Sequence, residues 1–273
     1  MTHSDAFWTI RKDELVFDSP PLVLGKGSYG VVIRASFRGS YVAVKRVLPS
    51  RMYNNFIKEM RVISRLRHPC ITTVIGAVKD KKEPLLVMEL MENGSLYELL
   101  RNETVELQGD LILPMLCDVT QGIHFLHAAN PPIIHGDIKS HNVLVDSRFR
   151  AKIADFGLST KKSGPCGTPL WMAPELLRGG SNSLASDVYA LGILLAEVYS
   201  RQDPFLNEDV RQVLRQVADL EREEEKRPEI PADCPSQMAV LMRNCWNKIP
   251  ESRPSISEID RRLQAMDSKA ADL

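Results

Sequence analysis

The stretch from residue 132 to 175 constrains this chain more than any other. Within it the apolar triplets Val143–Val145 and Ala151–Ile153 flank Asp146, Ser147, Arg148 and Phe149, a polar-tipped segment suited to a β-hairpin turn. Antiparallel strands run about 5 Å apart, and Asn142 stands just before the first strand while Asp155 stands just after the second. Pairing the strands therefore brings an amide and a carboxylate together at the open end of the hairpin. Two hard oxygen ligands at one place suit Mg²⁺, which takes one or two protein groups and fills its other positions with water and phosphate oxygens. Asp137, in the loop that enters the hairpin, supplies a further carboxylate nearby.

An acid beside a metal site points to phosphoryl transfer, and the residues upstream fit that chemistry. Strands are expected over 22–24 and 31–37, on either side of GKGSYG with Gly25, Gly27 and Gly30. Glycines let the backbone turn tightly and bring its N–H groups close to phosphates. The G-x-G-x-x-G spacing alone is shared with dinucleotide folds, where it opens a helix. Here the β-branched run GVVIRASF follows, so the pattern is strand-turn-strand, which counts against a dinucleotide-dependent oxidoreductase. A third strand is expected over 41–47. Side chains alternate along a strand, so Ala43 and Lys45 share one face while Val42 and Val44 share the other.

Residues 54–67 carry Phe56, Met60, Ile63 and Leu66 at helical spacing, with Glu59 beside that stripe. Two more strands are expected over 71–78 and 84–90. A long helix follows over 113–127, with Pro114 placed in its first turn, where a missing N–H is tolerated. The run SDVYALGILLAEVYS reads as a nearly all-apolar helix at the centre of the second half, and 208–220 and 236–246 read as amphipathic helices. The charge run EREEEKR, 221–227, reads as a solvated helix end. His124 and His127 are three apart, as metal ligands can be, but no further Cys, His or carboxylate stands at ligand spacing for zinc.

Taken together these motifs resemble the protein kinase family. H-x-D-x-K-x-x-N stands as His135, Asp137, Lys139 and Asn142; D-F-G stands as Asp155 to Gly157; A-P-E stands as Ala173 to Glu175. The resemblance covers residues 20–266 and implies an α+β, two-lobed kinase fold, with a small β-rich N-lobe carrying one main helix and a larger, mostly helical C-lobe. It divides 1–273 into an N-lobe with N-terminal extension (1–88), a hinge (89–92) and a C-lobe (93–273). The extension, with Phe7, Trp8 and Ile10, is expected to pack on the first lobe.

By the same resemblance Leu24, Gly25, Lys26, Gly27, Ser28, Tyr29 and Gly30 cover the ATP phosphates, and Lys45 holds the α- and β-phosphates with Glu59 orienting it. Val32 and Ala43 form the adenine ceiling and Leu144 its floor. Met88 is the gatekeeper, and Glu89 to Met91 offer backbone hydrogen bonds. Asn142 and Asp155 hold Mg²⁺, with Mn²⁺ as the alternative. Asp137 takes up the substrate proton, Lys139 neutralises the γ-phosphate, and Thr168 bridges the two. Asp187 anchors the loop backbone and Arg253 pairs with Glu175. Lys139 and Thr168 are typical of serine/threonine kinases, while W-M-A-P-E, ENGSL and Cys245-Trp246 resemble the tyrosine-kinase-like group, so dual specificity stays open. Pseudokinases, scaffolding modules of the same fold, usually lose the strand lysine or one of the two aspartates, and this chain keeps all three.

One departure stands out: His135-Gly136-Asp137 replaces the usual H-R-D. That arginine normally pairs with a phosphate on the activation segment, here 155–175 with acceptors Ser159, Thr160 and Ser163. Its absence implies control by helix position, a regulatory partner or homodimerisation. Thirty-five basic and thirty-five acidic residues cancel, so no global charge points to nucleic acid or an anionic membrane. The expected partners are ATP and a protein substrate. Five cysteines without a C-x-x-C fit a reducing compartment, the cytoplasm. The longest apolar run, 188–199, falls short of the roughly 20 residues of a membrane span. The first residues hold no apolar core of signal-peptide length, and Thr2 does not suit myristoylation.

Overall fold

Short β-branched segments separated by tight turns pair with their sequence neighbours, and the first third of the chain does so as one antiparallel sheet. The computed structural model describes residues 7–27, 30–46, 57, 60, 63–107, 109–155 and 167–271. The strands are β1 (Leu15–Phe17), β2 (Val23–Gly27), β3 (Gly30–Phe37), β4 (Ser40–Arg46), β5 (Val74–Val78) and β6 (Leu85–Glu89), in the order β1-β3-β4-β6-β5 with β2 also on β3. Ile33, Val42, Val44 and Val87 bury one face of the sheet with Ile10 and Leu15. Ala43, Leu86 and Met88 bury the other, in a core that also holds Met60 and Ile63. The expected alternation along β4 is therefore what separates the two faces.

The N-terminal extension packs on this lobe through Trp8, 2% exposed. It also contributes β1, which sequence reading did not anticipate. Residue 71 is not in a strand: Ile71 instead bridges in parallel to Ile153, and β5 starts at Val74. Ile57, Met60 and Ile63 are helical, and the helix ends at Ile63, so Leu66 lies beyond it.

The second lobe is helical: α1 (Leu96–Arg101), α2 (Gly109–His127), α3 (Pro174–Leu177), α4 (Leu184–Ser200), α5 (Val210–Ala218), α6 (Ser236–Cys245) and α7 (Ile256–Ala271), with the hairpin β7 (Val143–Val145) and β8 (Ala151–Ile153). Helix α4 is capped by Ser183, whose side chain accepts the Ser186 N–H, and every residue from Ser186 to Val198 is buried. A helix apolar all round belongs in the middle of a core. Each fully buried Leu or Ile there contributes about 1.5–3 kcal/mol. Helix α2 starts at Gly109, so Pro114 sits in its second turn, where it leaves the carbonyl of exposed Asp110 without an intrahelical donor. The charge run 221–227 is loop, because α5 stops at Ala218, and Arg227 is not solvated: its Nε donates to the Trp246 carbonyl at 2.8 Å. Among the described residues no helix is long and apolar enough to cross a membrane.

Candidate active site

Loop 135–142 is mostly irregular backbone, so its polar groups need partners outside the loop. Helix α4 supplies one from Asp187, whose Oδ2 accepts the His135 N–H and whose Oδ1 accepts the Gly136 N–H, both at 2.8 Å. His127 Nε2 lies 2.9 Å from the same carboxylate, and His124 Nε2 lies 3.0 Å from Ser257 Oγ. Gly136 has φ +75°, a conformation in which a side chain is strained. His135 is fully buried; its Nδ1 accepts the Asp137 N–H at 3.2 Å, which leaves the proton on Nε2, 3.0 Å from the Ala154 carbonyl.

The Asp137 carboxylate is held on both oxygens. Thr168 Oγ1 donates to Oδ1 at 2.8 Å, and Asn142 Nδ2 donates to Oδ2 at 2.9 Å. Lys139 Nζ lies 3.0 Å from Oδ2 and donates to Thr168 Oγ1 at 2.5 Å. Burial would raise the Asp137 pKa, but the Lys139 charge and the bonds from Thr168, Lys139 and Asn142 outweigh it and hold the carboxyl below its ordinary 3.8. One lone-pair direction, on Oδ1, remains for an incoming hydroxyl.

The β7–β8 hairpin aligns Val143 with Ile153 and Val145 with Ala151, and Asp146 Oδ1 closes its tip by accepting the N–H groups of Arg148 and Arg150. Asn142 and Asp155 consequently line one cleft. Asn142 spends its amide hydrogens on the Asp137 carbonyl (2.7 Å) and carboxylate, which turns its amide oxygen into the group left for a cation. Asp155, at φ +58°, accepts Lys45 Nζ on Oδ1 at 2.6 Å and keeps Oδ2 as a second oxygen donor. One amide and one carboxylate oxygen fit the sparse protein share of a Mg²⁺ shell.

The roof of the cleft is β2–β4. Gly30 pairs with Gly27 across the turn at φ +135°, and a Cβ there would lie 1.9 Å from the Arg46 carbonyl oxygen. The glycine loop thus opens a strand, not a helix. Leu24, Gly25, Val32, Ala43, Lys45, Met88, Glu89, Met91 and Leu144 all line the cavity. Its volume of about 380 Å³ suits a nucleotide-sized ligand. A second cavity against Gly136, Trp171 and Asp187 holds about 10 Å³, room for no more than a water.

Lys26 and Gly27 lie on β2. Ser28, Tyr29, Glu59, Phe156, Ser159, Thr160 and Ser163 lie outside the described residues. Arg253 holds Glu175 through two bonds of 2.7 and 2.8 Å. Sequence reading missed the rest of the wall, Gly94, Ser95, Glu98, His141 and Ala154. It also gave Glu89 only a backbone role, whereas its carboxylate accepts the Thr73 N–H at 2.6 Å and Lys152 Nζ at 2.7 Å, tying the end of β6 to β8. Ser140 was passed over too; its hydroxyl donates to the buried Glu197 at 2.6 Å. A lone charge inside the apolar run of α4 was the available signal, since such a group is buried only with a partner.

Comparison with known proteins shows the family to which the chain belongs. The family model described as protein tyrosine and serine/threonine kinase matches residues 22–263. The probable serine/threonine-protein kinase drkA of Dictyostelium discoideum is 37% identical over 254 residues, covering 90% of this chain and 39% of that protein. The serine/threonine-protein kinase CTR1 of Arabidopsis thaliana is 39% identical over 249 residues, 86% of this chain and 30% of its own. The dual specificity protein kinase shkC of Dictyostelium discoideum is 36% identical over 279 residues, 97% of this chain and 54% of its own. The chain therefore spans well under two thirds of the length of these curated relatives.

Proposed function

The chain belongs to the protein tyrosine and serine/threonine kinase family, and from that premise we propose that it transfers the γ-phosphoryl group of ATP to serine or threonine hydroxyls of a protein substrate. The observation that carries this reading is the cluster in which Asp137, Lys139, Asn142 and Thr168 interlock within 3.0 Å at the mouth of the nucleotide-sized cleft. Phosphoryl transfer asks mainly for positioning and charge stabilisation. Asp137 accepts the hydrogen bond of the acceptor hydroxyl and orients its oxygen. As that oxygen bonds to the γ-phosphorus and the bond to the β–γ bridging oxygen breaks, Asp137 takes up the proton and ADP leaves. A low carboxyl pKa suits this order of events, since the group orients first and accepts late.

Lys45 reaches toward the phosphates from the roof, and Lys139, beside Asp137, neutralises charge on the transferred group. Asn142 and Asp155 would hold Mg²⁺, or Mn²⁺ in its place, which when bound neutralises the phosphate oxygens. Glu89 to Met91 supply backbone groups to adenine, beneath Val32 and Ala43 and above Leu144. Residues 1–88, 89–92 and 93–273 act as N-lobe, hinge and C-lobe of one kinase domain. The absence of an arginine at Gly136 supports control by something other than activation-segment phosphorylation, such as a regulatory partner or homodimer. Cysteine usage supports a cytoplasmic setting.

The test is incorporation of labelled phosphate from Mg-ATP into a generic protein substrate, followed by phospho-amino-acid analysis. Phosphoserine or phosphothreonine is the expected product. Phosphotyrosine beside them assigns dual specificity, and ATP binding without incorporation would replace this reading with a pseudokinase scaffold.

A further inference from the structure

Asn142 is the last residue of a single 3₁₀ turn, Ser140–Asn142, closed by the Val143 N–H on the Ser140 carbonyl. The two residues before Asn142 are gripped from different sides. Ser140, fully buried, donates its hydroxyl to Glu197 Oε1 on α4 at 2.6 Å. His141 stacks on Tyr97 of α1, with ring centroids 3.7 Å apart and an interplanar angle of 23°. Arg101, one turn on from Tyr97, joins the two grips: its Nη2 donates to the same Glu197 oxygen at 3.2 Å, and its Cζ lies 3.8 Å over the Tyr97 ring. A guanidinium and an imidazole both within 4 Å of one ring centre must occupy its opposite faces. The contacts therefore close a ring through Ser140, Glu197, Arg101, Tyr97 and His141.

Stability does not account for this arrangement. Glu197 is 1% exposed, and among the described residues its Oε2 has no hydrogen-bond partner. Leaving half of a buried carboxylate unsatisfied is costly, and buried ion pairs are commonly replaceable by apolar residues without loss. What the ring does achieve is to fix one turn of backbone on which Asn142 rides.

We propose that Ser140, Arg101, Tyr97 and Glu197 are positioning residues for Asn142, the ring setting where its amide oxygen meets the cation. The inference rests on the reading of Asn142 as a metal ligand. Groups that orient a metal ligand from behind typically change metal affinity by about 10-fold or more when removed, although none of them touches the metal.

The experiment measures Mn²⁺ binding by electron paramagnetic resonance in the presence of a non-hydrolysable ATP analogue. The full chain is compared with Ser140→Ala and Arg101→Met, together with Thr120→Val, which removes a buried hydroxyl bonded inside α2 at 2.9 Å and far from the loop in sequence. Ser140→Ala and Arg101→Met are expected to weaken Mn²⁺ about 10-fold and to raise the Mg²⁺ needed for half-maximal transfer in parallel. Thr120→Val should lower the melting temperature while leaving Mn²⁺ affinity unchanged. Folded Ser140→Ala and Arg101→Met with wild-type Mn²⁺ affinity would overturn the proposal alone. Wild-type protein that binds no Mn²⁺ with nucleotide would overturn the metal-site reading and the proposal with it.

Discussion

The roof of the cleft contributes by shape and its floor by polar attachment. In β2–β4, Gly25, Val32 and Ala43 offer the cavity small or apolar surfaces, and Gly30 keeps its turn only because it has no Cβ to strike the Arg46 carbonyl. In loop 135–142, by contrast, Asp137, Asn142 and Ser140 each owe their position to bonds of 2.6–2.9 Å, and Asp187 holds the backbone itself. The difference teaches how each wall should fail: the roof through an added atom, the floor through a removed one. Nucleotide affinity should be sensitive to the first and turnover to the second.

The largest effect is expected from Asp187→Ala, which strips the His135 and Gly136 N–H groups of their shared acceptor and leaves His127 unpaired at that side. Breaking a buried charged network of this kind costs about 3–5 kcal/mol. Urea denaturation should report that loss, and kcat should fall more steeply than ATP affinity. Equal loss of both would mean that the floor is not a separate unit.

Gly30→Ala comes next. The added Cβ meets Arg46 at 1.9 Å and the φ of +135° is unfavourable for alanine, a strain of about 1–3 kcal/mol. The expected readout is a raised KM for ATP with little change in kcat at saturation. A fall in kcat with KM unchanged would break the comparison.

A subtler change separates the two contributions to Asp137. Its carboxyl pKa is depressed, so the stability it contributes is fully present above the ordinary carboxylate range and is lost as pH falls through the folded value. Lys139→Met removes the attraction that opposes burial and should move the acid limb of the pH–kcat profile upward. An acid limb that stays in place would show that Thr168 and Asn142 suffice.

The two walls also differ in how far they could be read from the chain. Glycine spacing followed by a β-branched run, and alternation through Ala43 and Lys45, are local patterns, so the roof was legible as strand-turn-strand. The hairpin was legible for the same reason, since its register needs only a short turn. The floor depends on partners far away in sequence. Asp187 and the Arg253–Glu175 pair were legible through the family resemblance, but Glu197 is 57 residues from Ser140 and Arg101 is 96 from Glu197. No local period carries such a pairing. Glu89 was misjudged for a related reason: a residue assigned to a backbone role still has a carboxylate, and Thr73 and Lys152 claim it. Pro114 and the charge run 221–227 were placed by local rules that tertiary packing overrode.

The central claim is that the floor performs the chemistry on a nucleotide held by the roof, and Asp137→Asn tests it most directly. Asparagine keeps the shape of the side chain but cannot take up a proton. ATP affinity, measured by equilibrium binding, should stay close to wild type, while single-turnover transfer to a protein substrate should slow by about 10²- to 10⁴-fold, the usual contribution of a positioned general base. Transfer at a near wild-type rate would contradict the account, because the proton would then leave by a route that does not involve Asp137.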